Sequence, residues 1–317
     1  MSLKKKTILS VLLFVVIFAG LLITATFTDL QVSQILTKGT LPQGQYIATG
    51  TFGTIFEIIG SFPGYFLGSL GLCILALYCF RFYDKAKKYS LSAILSVIAA
   101  IVYGFCCKEF FTYIKEHMMS VDADTPTYIN VLGFMLGVML TAFTLLSLNN
   151  MKDDTLKKLV RFAFACIAIA IVANALVAIV KIPFGRMRFR AMNVTGEFGN
   201  FTRWYVANGQ PDKQMLREVY GTSDACKSFP SGHTCSAAMI FGIVMLGNAL
   251  EIKKQWVRNL LWIVSFTYTG LVALSRIMVG AHFFSDVLVG GTIGFLTVIL
   301  FKEILIDRGS HIKAFKK

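Results

Sequence analysis

Apolar residues in this chain run in long unbroken stretches, without the alternation of half-buried strands. Eight such runs are readable, over 7–27, 56–80, 90–112, 129–148, 159–181, 232–249, 258–275 and 284–304. A helix needs roughly 20 apolar residues to cross the hydrocarbon core of a bilayer, and each run is about that long. A backbone in lipid must satisfy its own hydrogen bonds, so the runs are predicted to be helices. The expected fold class is all-α, a polytopic transmembrane helix bundle of about eight spans. The second run is the least regular, because Gly60, Pro63, Gly64, Gly68 and Gly71 interrupt it. Small residues at such spacing point to close helix packing.

Composition agrees with the pattern. Hydrophobic residues make up 56% of the 317 and charged residues only 15%, against about 25% charged in a soluble domain. Lys4, Lys5 and Lys6 precede the first run. That run exceeds the roughly 7–15 residues of a signal-peptide core, so an uncleaved first span is expected. Six of the seven cysteines sit in or beside apolar runs, where cysteine behaves as a small hydrophobe. Cys226 lies in a polar loop with no partner at readable spacing. The odd count gives no disulfide framework and the spacing suggests no zinc. No metal and no other cofactor is expected.

The formal charge of +14 refines the picture through its placement. With the N-terminus inside, the cytoplasmic segments would be 1–6, 81–89, 149–161, 250–258 and 302–317. They hold 19 of the 31 Lys and Arg residues, as expected for short loops on the positive side. Of the remaining 12, eight fall between Lys181 and Lys227. The long loop 182–231 is therefore unusually basic for the outer side, and the density points to function there. Lipid headgroups, not nucleic acid, are the expected counterpart of the other charges. Asn193-Val-Thr195 and Asn200-Phe-Thr202 match the glycosylation acceptor pattern.

Three short segments at outer helix mouths carry candidate chemistry. Lys181-x6-Arg188 leaves the fifth run, Pro230-Ser-Gly-His233 opens the sixth, and Ser275-Arg276-x5-His282-x3-Asp286 joins the last two. Pro230 suits the first position of a helix, where its missing N–H costs nothing. Ser231 and Gly232 would then offer N–H groups to an anion at the positive end of a helix. Lys181, Arg188 and Arg276 can add cations, and arginine is suited to bidentate phosphate contacts. His282 and Asp286, four apart, would share one helix face. A carboxylate bonded to one ring nitrogen leaves the other free to attack. His233 can supply a proton to a leaving oxygen. The alternatives are plainer: Asp286 as a cap or ion pair, and Lys181 and Arg276 snorkelling to the interface. Arg186 and Arg190 are assigned to loop or headgroup contact.

Together the three segments resemble the tripartite signature of the type-2 phosphatidic acid phosphatase superfamily. Its members include lipid phosphate phosphatases, undecaprenyl-pyrophosphate phosphatases, phosphatidylglycerophosphate phosphatases and vanadium haloperoxidases. The resemblance covers residues 181–286. It implies His282 as nucleophile, Asp286 as its partner and His233 as general acid, with Lys181, Arg188, Ser231, Gly232 and Arg276 holding phosphate. Two departures stand out. The first motif usually ends Arg-Pro, whereas Phe189 follows Arg188 here, which puts the loop geometry in question. Relatives commonly have six spans, with the first motif after the third. Residues 1–115 are thus expected to be N-terminal membrane helices extra to a catalytic core at 116–317.

The resulting expectation is a metal-independent phosphatase of a membrane lipid in a bacterial cytoplasmic membrane. Both termini would be cytoplasmic and the site would lie at the outer face. Undecaprenyl pyrophosphate or another isoprenoid pyrophosphate ranks slightly ahead of phosphatidic acid and phosphatidylglycerol phosphate, by analogy. A phosphotransferase would use the same phosphohistidine. From another class, a transporter would call for ionisable residues buried in mid-span, and the spans before residue 181 hold few beyond Glu57.

Overall fold

A computed structural model of the chain describes residues 3–119 and 126–308, with side chains from residue 8 onward. The side chains of Lys4–Lys6 and the basic segment beyond residue 308, both used in the charge count, lie outside it. The helices are α1 (Leu3–Leu36), α2 (Thr51–Ile59), α3 (Phe62–Phe82), α4 (Lys85–Met119), α5 (Thr127–Asn149) and α6 (Asp153–Phe184). They continue with α7 (Phe189–Thr195), α8 (Lys213–Tyr220), α9 (Gly232–Ala238), α10 (Leu246–Ala249), α11 (Gln255–Met278) and α12 (Phe284–Phe301). Among the described residues eight helical segments are long and apolar enough to cross a membrane, and each overlaps one of the eight sequence runs.

Local chemistry explains the breaks. The second span divides at Gly60–Ser61 into α2 and α3, with Pro63 in the first turn of α3, where it sacrifices no hydrogen bond. The sixth span is α9, a 3-10 stretch over Met239–Met245, and α10. Pro183 in the last turn of α6 and Gly185 just after it stop that helix. Gly185 has φ +48°, and a Cβ there would lie 1.5 Å from the Gly209 carbonyl oxygen, so the turn admits only glycine. It directs the chain into the loop that carries Arg186, Arg188 and Arg190.

The main core lies where α3, α6 and the sixth span meet, with Ile74, Phe162, Cys166, Ile169, Cys235 and Met239 fully enclosed. By contrast, Leu12, Val16 and Phe27 on α1 and Phe134, Phe143 and Leu146 on α5 face outward. Broad apolar surface of that kind suits contact with lipid. Residue 115, the expected end of the N-terminal part, falls within α4. Helices from before that point pack into the rest of the bundle: α3 against α6 and α9, α2 against α11, and α1 against α12. The N-terminal helices therefore wall the region where the three motifs converge.

Candidate active site

The mouths of α6, α9 and α12 bring the three motifs together. Helix α9 begins at Gly232 with Ser231 as its N-cap. Pro230 therefore lies two residues before the first helical position, a correction to its expected place. Ser231 is also more committed than its sequence suggested. Its N–H donates to the Asp286 carbonyl (3.0 Å), and its hydroxyl accepts from the Thr234 N–H (3.3 Å). Gly232 and His233, as the first two helical residues, keep N–H groups with no intrahelical acceptor. The space over Gly232 is open, with only Val177 Cγ1, at 4.0 Å, near the position of an added Cβ. Gly290 of α12 permits this assembly, because a Cβ there would lie 2.2 Å from the Ser231 carbonyl oxygen.

His282 is buried between α11 and α12. Its Nδ1 lies 2.6 Å from the Ser228 carbonyl oxygen. A carbonyl only accepts, so Nδ1 carries the proton and Nε2 is left with its lone pair. Asp286 stands farther off, with Oδ2 3.9 Å from Nδ1. Its carboxylate instead accepts from Ser228 Oγ (2.5 Å), the Phe283 N–H (2.7 Å) and Arg186 Nη1 (2.6 Å). It thus holds the segment whose carbonyl orients His282, and the acceptor for the ring is backbone. Burial first, then the charges of Arg188, Lys181, Arg276 and the nearby His233, press the His282 imidazole well below its ordinary pKa. The ring is neutral at pH 7.

Cations and unpaired donors surround it. Arg188 and Arg276 are buried, and their Nε groups have no hydrogen-bond partner, nor does Nε2 of His233. Arg276 Nη1 lies 2.8 Å from Glu57 Oε1 but is not aligned for a hydrogen bond. Lys181 donates to the Lys227 carbonyl at 3.0 Å. Buried donors left open are costly unless a ligand completes them. Phe189 takes the first position of α7, a place a proline would equally suit, and packs in a cluster with Leu41, Val279 and Phe283. Among the described residues no group of three or more His, Cys, Asp or Glu side chains is placed to hold a metal ion.

Arg186 and Arg190 correct the sequence reading outright. Neither reaches the surface to meet headgroups; both are buried. Arg186 donates to Asp286, to Ser285 Oγ (2.9 Å), to the Thr202 carbonyl (2.8 Å) and to Asp29 Oδ2 (2.9 Å). Its guanidinium also lies 4.2 Å from the centre of the Phe283 ring. Arg190 donates to Glu57 Oε1 (3.3 Å) and covers the Tyr46 ring. Glu57 in turn pairs with His117 Nε2 at 3.0 Å. Asp29 of α1 further accepts from the Ser285 N–H (2.8 Å), capping α12 from another helix. Asp29 and Ser228 escape the sequence reading, which has Glu57 only as an isolated acid without its partners. The available signal was that Asp29 and Glu57 are acids beside or within apolar runs, the places where ionisable residues need partners. Asn193 is buried and bonded to the Pro42 and Gln45 carbonyls, so it is no glycosylation acceptor.

An apolar helix bundle with cations and two histidines at one end defines a class. Residues 161–309, which carry the three motifs, match the model of the PAP2 superfamily. Over 78 residues the chain is 32% identical to the phosphatidylglycerophosphatase B of Bacillus subtilis (strain 168). That stretch covers 24% of this chain and 37% of the relative's length. No solved structure matches the chain.

Proposed function

We propose that the protein removes phosphate from a membrane lipid through a covalent phosphohistidine on His282. The observation that carries this reading is the set of buried, unpartnered donors on Arg188, Arg276 and His233 around a neutral histidine. Nε2 of His282 attacks phosphorus as the bond to the lipid oxygen breaks. Arg188, Arg276 and Lys181 neutralise the phosphoryl oxygens, with the Gly232 and His233 N–H groups behind them. His233, protonated in the presence of the bound dianion, gives its proton to the leaving oxygen. It then takes a proton from the water that releases inorganic phosphate and restores His282.

The apolar helices around the site favour a lipid substrate, presented at the outer face of a bacterial cytoplasmic membrane. The relative's name adds weight to phosphatidylglycerol phosphate beside isoprenoid pyrophosphates and phosphatidic acid. The buried acids that a transporter would need, Asp29 and Glu57, both face arginines around this site, which favours an enzyme.

The test is phosphate release from a panel of lipid phosphates by the purified protein in detergent with excess EDTA. Release by the wild type is expected, with a loss of at least about 10³-fold in His282→Ala, the scale of removing a nucleophile. Undiminished release by the variant would remove His282 from that role. Release only when an alcohol acceptor is added would identify a phosphotransferase.

A further inference from the structure

We infer that a groove beside His233 holds the leaving group, and that Glu109 with Tyr65 and Ser61 selects its chemistry. The favoured leaving group is an alcohol with a free hydroxyl close to the scissile oxygen, as in a lipid glycerophosphate. A leaving group that carries a second phosphate at that point is disfavoured. This rests on the reading of His233 as the acid that faces the leaving oxygen.

Helices α4 and α6 both pack along α3, and between them lies a cavity of about 670 Å³. One end reaches Gly232 and His233. Its walls are largely apolar, including Leu72, Val102 and Ile167. Ile98 of α4 and Ile171 of α6 line it and are also 42% and 64% exposed, so the groove opens sideways towards the bilayer. Besides Asn174, Ser236 and His233, its polar lining is a cluster around Glu109. Glu109 Oε1 accepts from Tyr65 Oη (2.5 Å) and Oε2 from Ser61 Oγ (3.0 Å).

Two contacts place this cluster next to the acid. Ser61 accepts, through its carbonyl, from Ser236 Oγ at 2.6 Å, one turn along α9 from His233. Tyr113, one turn along α4 from Glu109, meets the His233 ring edge-on with centroids 5.4 Å apart. One helical turn advances about 5–6 Å, so Glu109 is within reach of groups a few bonds from the leaving oxygen. A carboxylate oxygen has lone pairs for more than one donor, which a ligand hydroxyl can use. The same carboxylate repels an anion. In a pyrophosphate the leaving oxygen is itself bonded to a charged phosphate, and that charge would face Glu109.

The test compares kcat/KM for three lipids in mixed micelles: a lysophosphatidic acid, the matching phosphatidic acid and an isoprenyl pyrophosphate. A small water-soluble phosphomonoester, p-nitrophenyl phosphate, serves as a fourth substrate. The wild type should prefer the hydroxyl-bearing lipid over the pyrophosphate by at least about tenfold, the worth of one hydrogen bond to a charged group. Glu109→Gln should narrow that ratio about tenfold and leave the soluble ester within about threefold. Val102→Trp, which fills the groove, should raise KM for all three lipids and spare the soluble ester. The inference is overturned if the wild type prefers the pyrophosphate. An unchanged substrate order in Glu109→Gln, or unchanged lipid KM in Val102→Trp, overturns it equally. In those cases the phosphatase reading stands, whereas no release from any substrate, the soluble ester included, would sink both.

Discussion

His282 shows how a residue's chemistry depends on neighbours that its own motif does not contain. The spacing of His282 and Asp286 suggested a direct carboxylate–imidazole bond. The acceptor proves to be the Ser228 carbonyl, from a segment 54 residues away. Because burial and four cationic or titratable neighbours lower the imidazole pKa, the ring should stay neutral, and able to attack, below the ordinary histidine value of 6.5. As pH falls, the acid limb of kcat/KM that reports this group in the free enzyme should therefore lie below that value. Replacing Arg188 by Gln removes one of the charges that lower it and should move the limb upward. A limb that does not move would mean that Arg188 does not act on His282.

At the scale of elements, the entry to α12 carries the information. Its first turn is capped by Asp286 from within and by Asp29 of α1 from outside, with Arg186 bridging the two carboxylates. The helices themselves were legible as apolar runs, and so was the break near Gly60 and Pro63. The partnership of Asp29 with α12 was not, because 256 residues separate Asp29 from Ser285. The sequence run also stopped at residue 27, short of the acid that α1 carries. Asp29→Ala should leave the Arg186 charge partly uncompensated and the Ser285 N–H open. Removing one partner of a buried pair typically costs about 3–5 kcal/mol. Thermal unfolding in detergent should detect that loss, and a midpoint within a degree of wild type would show that the pair contributes little.

Across the whole molecule, the N-terminal helices close the site instead of standing apart from it. Glu57 of α2 meets Arg190 and Arg276, and α3 and α4 border the groove beside His233. Orientation is a separate matter that rests on charge placement. A cysteine introduced at the exposed Ala207 should react with a membrane-impermeant maleimide added outside intact cells. Labelling only after the cytoplasmic side is opened would reverse the topology. By itself the sequence determined the all-α class, the eight spans and which residues gather at one end, because helix length and apolar periodicity are local and the motifs sit at span ends. Tertiary structure alone decided who pairs with whom: Arg186 with Asp29, Arg190 and Arg276 with Glu57, His282 with a backbone carbonyl. A buried charge takes whichever partner packing brings within a few ångströms, and nothing local in the chain encodes that distance.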